Sequence, residues 1–384
     1  MTKRRPAVTI TAAAVGLMLM LLAPGAYAAP ATGTPRWSLQ AASQLPYSAL
    51  SGVACLSPTW CKAVGGFATS EQGPYRNVIE SWNGRVWTVD PSPASEVGIF
   101  SVSCVSRTFC MAVGSTSSPG TPTLIESWDG TRWSVDPSPV PPGGGAQLFG
   151  VSCASVSACM AVGSYVAPAR TLAESWDGTR WALVPTPNIG PSRNLLFGVS
   201  CPSVTSCTAV GYFVYSKSEY EASLSLVESW DGTRWSIVPS PSPAGTFTGL
   251  QAVSCVSPTW CMAVGGGAHT AGDRSWTFIQ QWNGTRWATV PSPNKGLQSG
   301  LDGVSCVSTM SCQAVGYGTK GTNTTVTLAE VWNGNRWAVL STPDYPSNQS
   351  ILDGVSCTGP ASCTAVGSFH VHGIFYRALI ETYG

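Results

Sequence analysis

Fourteen cysteines fall into seven pairs with one internal spacing. Cys55/Cys61, Cys104/Cys110, Cys153/Cys159, Cys201/Cys207, Cys255/Cys261, Cys306/Cys312 and Cys357/Cys363 each enclose five residues. An even count at fixed spacing, behind a secretory leader, reads as disulfide chemistry. Zinc would ask for Cys-x-x-Cys spacing and for histidines, of which there are three (His269, His370, His372). Neither a metal nor a cofactor is expected. The next chemistry-bearing group is the carboxylate. Glu80, Glu126, Glu174, Glu228, Glu330 and Glu381 recur at one place in a repeat, with Gln280 in the remaining copy. Hydrolysis by two carboxylates needs an acidic pair set apart from the repeat. A carboxylate that returns in copy after copy is therefore read as structural. Asp302 and Asp353 do break the repeat, but two carboxylates alone are a weak calcium signal.

These residues are positioned by a repeat. Successive first cysteines lie 49, 49, 48, 54, 51 and 51 residues apart. Periods of this length with strand-like content point to propeller blades. The consensus runs L-x-G-V-S-C-x-S-x-x-x-C-x-A-V-G, a variable stretch, then T-L-x-E-S-W-D-G-T-R-W-x-x-V-P-S-P. Four short strands fit each copy, and the cysteine pair flanks the turn between the first and second. Each bridge is expected to staple that hairpin inside one blade. Asp-Gly or Asn-Gly at Asn83, Asp129, Asp177, Asp231, Asn283 and Asn333 marks a hairpin between the third and fourth. A type I′ turn on Asp-Gly and a type II′ turn on Gly-Thr are both open. Either register puts Leu124, Glu126, Trp128, Trp133 and Val135 on one face. Two tryptophans per copy on that face read as packing between blades rather than as a sugar-stacking row. A buried Glu needs a partner. The repeated arginines (Arg132, Arg180, Arg234, Arg286, Arg336 and Arg36) are expected to supply it across each blade boundary. The Pro-Ser-Pro stretches read as rigid connectors.

The seventh copy is split. Glu381-Thr-Tyr-Gly384 starts the Glu-Ser-Trp-Asp-Gly motif, and Gly33-Thr-Pro-Arg-Trp37 supplies its remainder. A closed ring can share one blade between its two ends, so residues 33–40 are expected to complete the last sheet. Residues 1–28 read as a signal peptide, with Lys3-Arg4-Arg5, an apolar run and the cleavage site Ala26-Tyr27-Ala28. Residues 29–384 then form one all-β domain, a seven-bladed β-propeller of four-stranded antiparallel blades beginning near 50, 99, 148, 196, 250, 301 and 352. No second apolar run is long enough to span a membrane. Removing Lys3, Arg4 and Arg5 with the leader leaves 17 basic against 19 acidic residues. Only 10% of the chain is charged, which argues against nucleic acid as a partner.

Length variation is confined to one rim, where the second-to-third and fourth-to-first connections emerge. Variable loops on a rigid scaffold are where function usually lives. The longest carries Tyr212, Phe213, Tyr215, Glu219, Tyr220 and Glu221, and the fifth blade adds His269, Asp273 and Trp276. Four residues before the first cysteine the repeat also breaks. Blades two to four have Phe100, Phe149 and Phe197 there, while blades five, six, seven and one have Gln251, Asp302, Asp353 and Ser51. A channel mouth lined by these would be aromatic on one arc and polar-acidic on the other, which suits a small polar ligand with an apolar face. Packing of the phenylalanines between blades is the plainer alternative.

The order Val-Ser-Cys, Ala-Val-Gly, Glu-Ser-Trp-Asp-Gly-Thr-Arg-Trp resembles Asp-box (BNR-type) propellers, among them sialidase-like and photosystem-assembly-factor-like ones. Ser127, Asp129, Gly130 and Trp133 match that box in kind, in a version one residue shorter. The resemblance implies the fold. It does not imply sialidase activity, because no positions match the arginine triad and the Tyr/Glu pair of those enzymes. The expectation is a secreted or cell-wall-associated, monomeric, non-catalytic protein that binds an extracellular glycan or protein. Its candidate contacts are Phe100, Phe149, Phe197, Gln251, Asp302, Asp353, Tyr215, Tyr220 and Trp276. A glycoside hydrolase or polysaccharide lyase, and a structural wall component, are the alternatives.

Overall fold

The computed structural model describes residues 34–384, apart from 44, 71–72, 95–97, 117–122, 142–144, 166–168, 215–222, 244–245, 270–273, 322–323, 344, 346, 348 and 372–374. The expected leader, Tyr215, Tyr220 and Asp273 lie outside the described residues. Among those described, 28 strands form seven four-stranded antiparallel sheets, and no helix is long and apolar enough to cross a membrane. Blade three shows the order, with Ala146–Ser155 innermost, then Ala158–Tyr165, Arg170–Trp176 and Trp181–Val184. The last blade takes Ser350–Gly359, Ser362–Val371 and Phe375–Tyr383 from one end of the chain and Trp37–Gln40 from the other. Trp37 pairs with Tyr383 and Gln40 with Ile380. Each innermost strand packs against the next, and Ser350–Gly359 returns to Ser48–Ser57, which closes the ring.

The core is not one mass but seven wedges, one at each blade boundary. Between blades two and three, Met111, Val113 and Ile125 meet Leu148, Ala161, Leu172 and Trp181. The wedge that closes the ring sets Val366, Ala378 and Ile380 against Leu50, Cys61 and Trp87. Burying one such large side chain is worth about 1.5–3 kcal/mol, so each boundary is held mainly by apolar area. The paired tryptophans belong to this packing. Trp128 and Trp133 are directly opposite, with ring centroids 5.6 Å apart, and Trp133 is buried. The indole N–H of Trp128 donates to the Arg107 carbonyl at the tip of the cysteine hairpin, 2.9 Å away.

The hairpin register is the Gly-Thr-centred one. Asp129 N–H donates to the Arg132 carbonyl, and of the two central residues only Gly130 has positive φ (+99°). A type I′ turn would need two positive φ values. Asp129 Oδ1 accepts from the Thr131 and Arg132 amides and from the Thr131 hydroxyl. Those bonds hold the Asp129 carboxyl down at about 2.

The seven bridges join Cys55 to Cys61, Cys104 to Cys110, Cys153 to Cys159, Cys201 to Cys207, Cys255 to Cys261, Cys306 to Cys312 and Cys357 to Cys363. In blade three the two cysteines are direct partners across the hairpin. Closing a loop of this size contributes about 2–2.5 kcal/mol in the chain-entropy picture. A staple confined to one blade is too narrow a description, however. The two members of each pair differ in burial: the first is half-buried, while Cys61, Cys110, Cys159, Cys207, Cys261, Cys312 and Cys363 are buried. Each of these second cysteines is part of the boundary wedge shared with the preceding blade. Strand alternation is the reason, since the second cysteine shares its face with the Ala of Ala-Val-Gly, and that face is the one turned to the neighbour. Cys61 Sγ thus lies 4.0 Å from the Thr364 hydroxyl of blade seven, and Cys261 Sγ 3.8 Å from the Thr208 hydroxyl of blade four. These sulfurs are core atoms as well as cross-links.

The expected Glu–Arg pair does not form. Arg132, Arg180 and Arg234 stand about four-fifths exposed beside their own turn aspartates. An arginine inside the turn cannot reach the middle of the third strand of the next blade. The glutamates are fully buried, and the hydroxyls that meet them come from the preceding blade. Ser92 donates to Glu126 (2.7 Å), Ser138 to Glu174 (3.0 Å), Ser292 to Glu330 (2.7 Å) and Ser240 to Gln280 (2.7 Å). Ser43 does the same for Glu80. The serine of Pro-Ser-Pro is thus a clamp between blades as well as part of a connector. Burial outweighs these bonds and pushes Glu174 and Glu381 up to about 7, and Glu228 and Glu330 up to about 8. Gln280 shows the same requirement, a neutral hydrogen-bonding group at this place.

A second rung explains Val-Ser-Cys. The serine before one blade's cysteine accepts the N–H of the next blade's cysteine at 2.9–3.0 Å, as Ser103 does for Cys153. Six boundaries carry it. The boundary between blades one and two has Ala54 instead. There Lys62 is buried, with its ammonium 2.5 Å from Asp90, 2.6 Å from Ser81 and 3.5 Å from the ring centre of Trp128.

Candidate functional site: the axial mouth

The axial mouth is built by a device that repeats in every blade. Each innermost strand has two register shifts, one at the cysteine hairpin and one nearer its start, where a single residue bulges without a partner on the second strand. In blade three Leu148 pairs with Gly163 and Gly150 with Val162, leaving Phe149 between them. A bulge re-aims a side chain. Leu148 stays on the boundary face, fully buried, while Phe149 turns to the channel. The Gly of Ala-Val-Gly makes this possible. A Cβ at Gly163 would stand 1.8 Å from the Gln147 carbonyl oxygen, and the other blades repeat that approach at 1.9–2.1 Å. Only a glycine lets the bulged strand sit this close.

The bulged residues are Ser51, Phe100, Phe149, Phe197, Gln251, Asp302 and Asp353. All seven line one axial cavity of about 170 Å³. The position singled out by its variation is thus the bulge position. Phe100 and Phe149 lie with centroids 5.7 Å apart, and Phe149 and Phe197 at 5.3 Å, tilted by 37° and 52°. They pack on one another around the mouth, each half-buried, rather than inside a blade boundary. The other four bulged residues form an unbroken polar arc, Gln251, Asp302, Asp353 and Ser51.

Asp302 and Asp353 are half-buried by surface area, and the surface they show is the wall of the axial cavity. Neither carboxylate takes a hydrogen bond among the described residues. Burial, with Asp353 beside it, pushes Asp302 up to about 7, and burial pushes Asp353 up to about 6. Two tyrosines extend both arcs: Tyr212, which the sequence places in the longest rim loop, and Tyr317, which was not a candidate. Tyr212 packs on Phe197 at 5.7 Å, and Tyr317 stands beside Asp302, its phenol pushed up by burial and by that carboxylate. They are the tyrosines that directly follow Ala-Val-Gly, in blades four and six, and that position was the available signal. Trp276 is not brought to the mouth. It lies on the third strand of blade five, its ring over Gly267 and 4.7 Å from His269.

Fold and mouth together define a seven-bladed β-propeller with an asymmetric axial pocket. The chain matches no known family model and no curated protein sequence. Solved structures share its architecture. YCF48 bound to D1 peptide aligns with a TM-score of 0.52 and 12% identity over 92% of this chain and 98% of that one. A polysaccharide lyase of family PL25, an ulvan lyase, gives 0.55 and 10% over 90% and 92%. The GH74 xyloglucanase of Xanthomonas campestris gives 0.51 and 13% over 88% of this chain and 54% of that one. Identities this low establish the fold alone.

Proposed function

We propose that this protein is a secreted, monomeric, non-catalytic binding protein that recognises an extracellular protein or glycan at the variable rim, with the axial mouth as the anchoring pocket. One observation carries the reading. The bulge delivers one side chain per blade to the same place, and the seven copies put unlike chemistry there. Packing positions repeat because every boundary needs them, whereas a ring of unlike residues on a repeated bulge is what selection for a ligand produces. Seven disulfides fit an oxidising compartment outside the cell.

The propellers that share this architecture include a peptide complex and two carbohydrate-active enzymes. A lyase acting on uronates must neutralise a substrate carboxylate, and an arc of two aspartates repels one. A hydrolase reading makes Asp302, raised toward neutral pH, a proton donor. Turnover on a polysaccharide panel that disappears in Asp302→Ala and Asp353→Ala would establish that alternative. The binding reading is tested with the mature chain on glycan and peptide arrays, beside Phe149→Ala. Retention of a defined ligand by the wild type and its loss in the variant is expected. Blank arrays together with tight retention in the cell wall would favour a structural component instead.

A further inference from the structure

The chemistry of the mouth narrows its ligand, and the step rests on the binding reading above. A cavity of about 170 Å³ is well under the 300–1,000 Å³ of pockets that enclose drug-sized ligands. It takes one group presented by something larger. That group meets Asp302 and Asp353 on one side and three phenylalanines on the other. Among the described residues no basic side chain lines the cavity, so none of them supplies the two carboxylates with a counter-charge there. Aromatic faces attract a cation and also accept the alkyl stem that carries it. A calcium ion would ask for six to eight oxygens and leave the aromatic arc without a role. A neutral sugar would leave two desolvated carboxylates unpaired, which is costly. An amino sugar would have to bring its whole ring and hydroxyls into the cavity before its ammonium reached the acids.

We infer that the axial mouth takes a basic side chain, an ammonium or guanidinium on an alkyl stem, projecting from a peptide or protein partner. The stem lies along Phe100, Phe149 and Phe197, and the charged end sits between Asp302 and Asp353. Tyr212 and Tyr317 stand beside the two arcs, next to Phe197 and Asp302. The groups that face Asp302 are Asp353 and the Tyr317 phenol. An arriving cation relieves the repulsion that an empty channel keeps. Because the acids protonate near pH 7 and 6 in the empty mouth, binding weakens as pH falls through that window.

The test titrates the mature chain with acetylated, amidated pentapeptides carrying a central lysine, arginine or norleucine, and with a glucosamine tetrasaccharide. The expected result is binding of the lysine or arginine peptide at least about tenfold tighter than that of the norleucine peptide. Which of the two binds better identifies the basic group. The double variant Asp302→Asn, Asp353→Asn should abolish the preference, and Phe149→Leu should weaken it severalfold. Thermal melts of each variant show that the fold is intact. Equal binding of lysine and norleucine peptides, unchanged binding by the double variant, or binding of the tetrasaccharide alone would each overturn the inference, as would silence from every probe. The arrays separate the two levels. If an array ligand binds and the double variant leaves it unaffected, the cation falls and rim binding stands; if the arrays are blank, both fall.

Discussion

The blade boundaries and the axial mouth both bury acids, but most boundary acids accept a hydroxyl from the neighbouring blade, Glu228 and Glu381 being the exceptions, while the mouth acids accept none among the described residues. At the boundaries, Glu126, Glu174 and Glu330 each accept a hydroxyl from the blade before, and Gln280 does so in the fifth copy without any charge. At the mouth, Asp302 and Asp353 face each other and take no hydrogen bond among the described residues. A buried polar group with a built-in partner completes a structure. A charged pair without one is a cost carried for something outside the chain. The same contrast runs through the whole repeat. Where the copies agree, they agree on wedge packing, hydroxyl clamps and the close approach of Ala-Val-Gly. Where they differ in the innermost strands, they differ chiefly at a bulge that points to the axis.

The contrast is broken most severely by opening the ring. Deleting residues 29–40 removes the outer strand of the last blade, takes Trp37 out of the wedge between blades six and seven, and takes from Trp87 of the first blade its Gln40 acceptor. The expected outcome in calorimetry is loss of the cooperative transition, or a fall in Tm of more than about 10 °C. Melting like that of the full mature chain would mean the ring does not depend on that strand. A nearly comparable loss is expected from Gly163→Val, because a Cβ there meets the Gln147 carbonyl at 1.8 Å; denaturant melts should show more than about 3 kcal/mol.

At the boundary acids the account predicts a split between two substitutions. Glu330→Ala removes a fully buried group and leaves Ser292 without its acceptor, a loss of about 2–4 kcal/mol. Glu330→Gln should sit within about 1 kcal/mol of wild type, since Gln280 already fills that role and Glu330, held near 8, is neutral at pH 7. Equal damage from both would show that the charge matters there. These raised carboxyls also set a pH dependence. Folded values of about 6 to 8 lie above the unfolded ones, so stability is greatest at mildly acid pH and falls as pH rises toward 8. Tm measured from pH 5 to 8 should decline monotonically.

The smallest effects sharpen the comparison among boundaries. Ala54→Ser supplies the rung missing between blades one and two and should add about 0.5–1 kcal/mol. Lys62→Met should change stability by less than about 1 kcal/mol. Met111, Met160 and Met262 occupy that place in other blades, and Asp90 keeps Ser81 and Trp133 as donors. A large loss would make the lysine a substitute for the missing rung.

Blade number, disulfide pairing and ring closure were legible because each rests on period or spacing. The burial of one sulfur per bridge was not. Spacing pairs Cys104 with Cys110 but does not say that Cys110 enters the wedge shared with the preceding blade. The Glu partner was misread for a geometric reason. Arg132 recurs as faithfully as Glu126, but it sits inside a turn whose Asp129 already holds it at the surface. The serine clamps carry no signal of their own, since Ser in Pro-Ser-Pro and Val-Ser-Cys looks like turn and strand filler until neighbouring blades are docked. The bulge is equally silent. One extra residue shifts the alternation by one, and only the glycine opposite hints at it. The variation at Phe100, Phe149, Phe197, Gln251, Asp302 and Asp353 was visible, whereas the reason it converges on the axis was not. Tyr212 reads as one residue of a variable loop and Tyr317 draws no notice until the fold sets them beside Phe197 and Asp302.

The central claim is that the mouth is kept for a ligand and not for the fold. The double variant Asp302→Asn, Asp353→Asn tests it most directly when Tm and binding of the lysine or arginine peptide are measured on the same sample at pH 8. The account predicts a Tm unchanged or raised by a few degrees, with the gain shrinking as pH falls toward about 4, and loss of peptide binding. A lowered Tm with binding intact would contradict it.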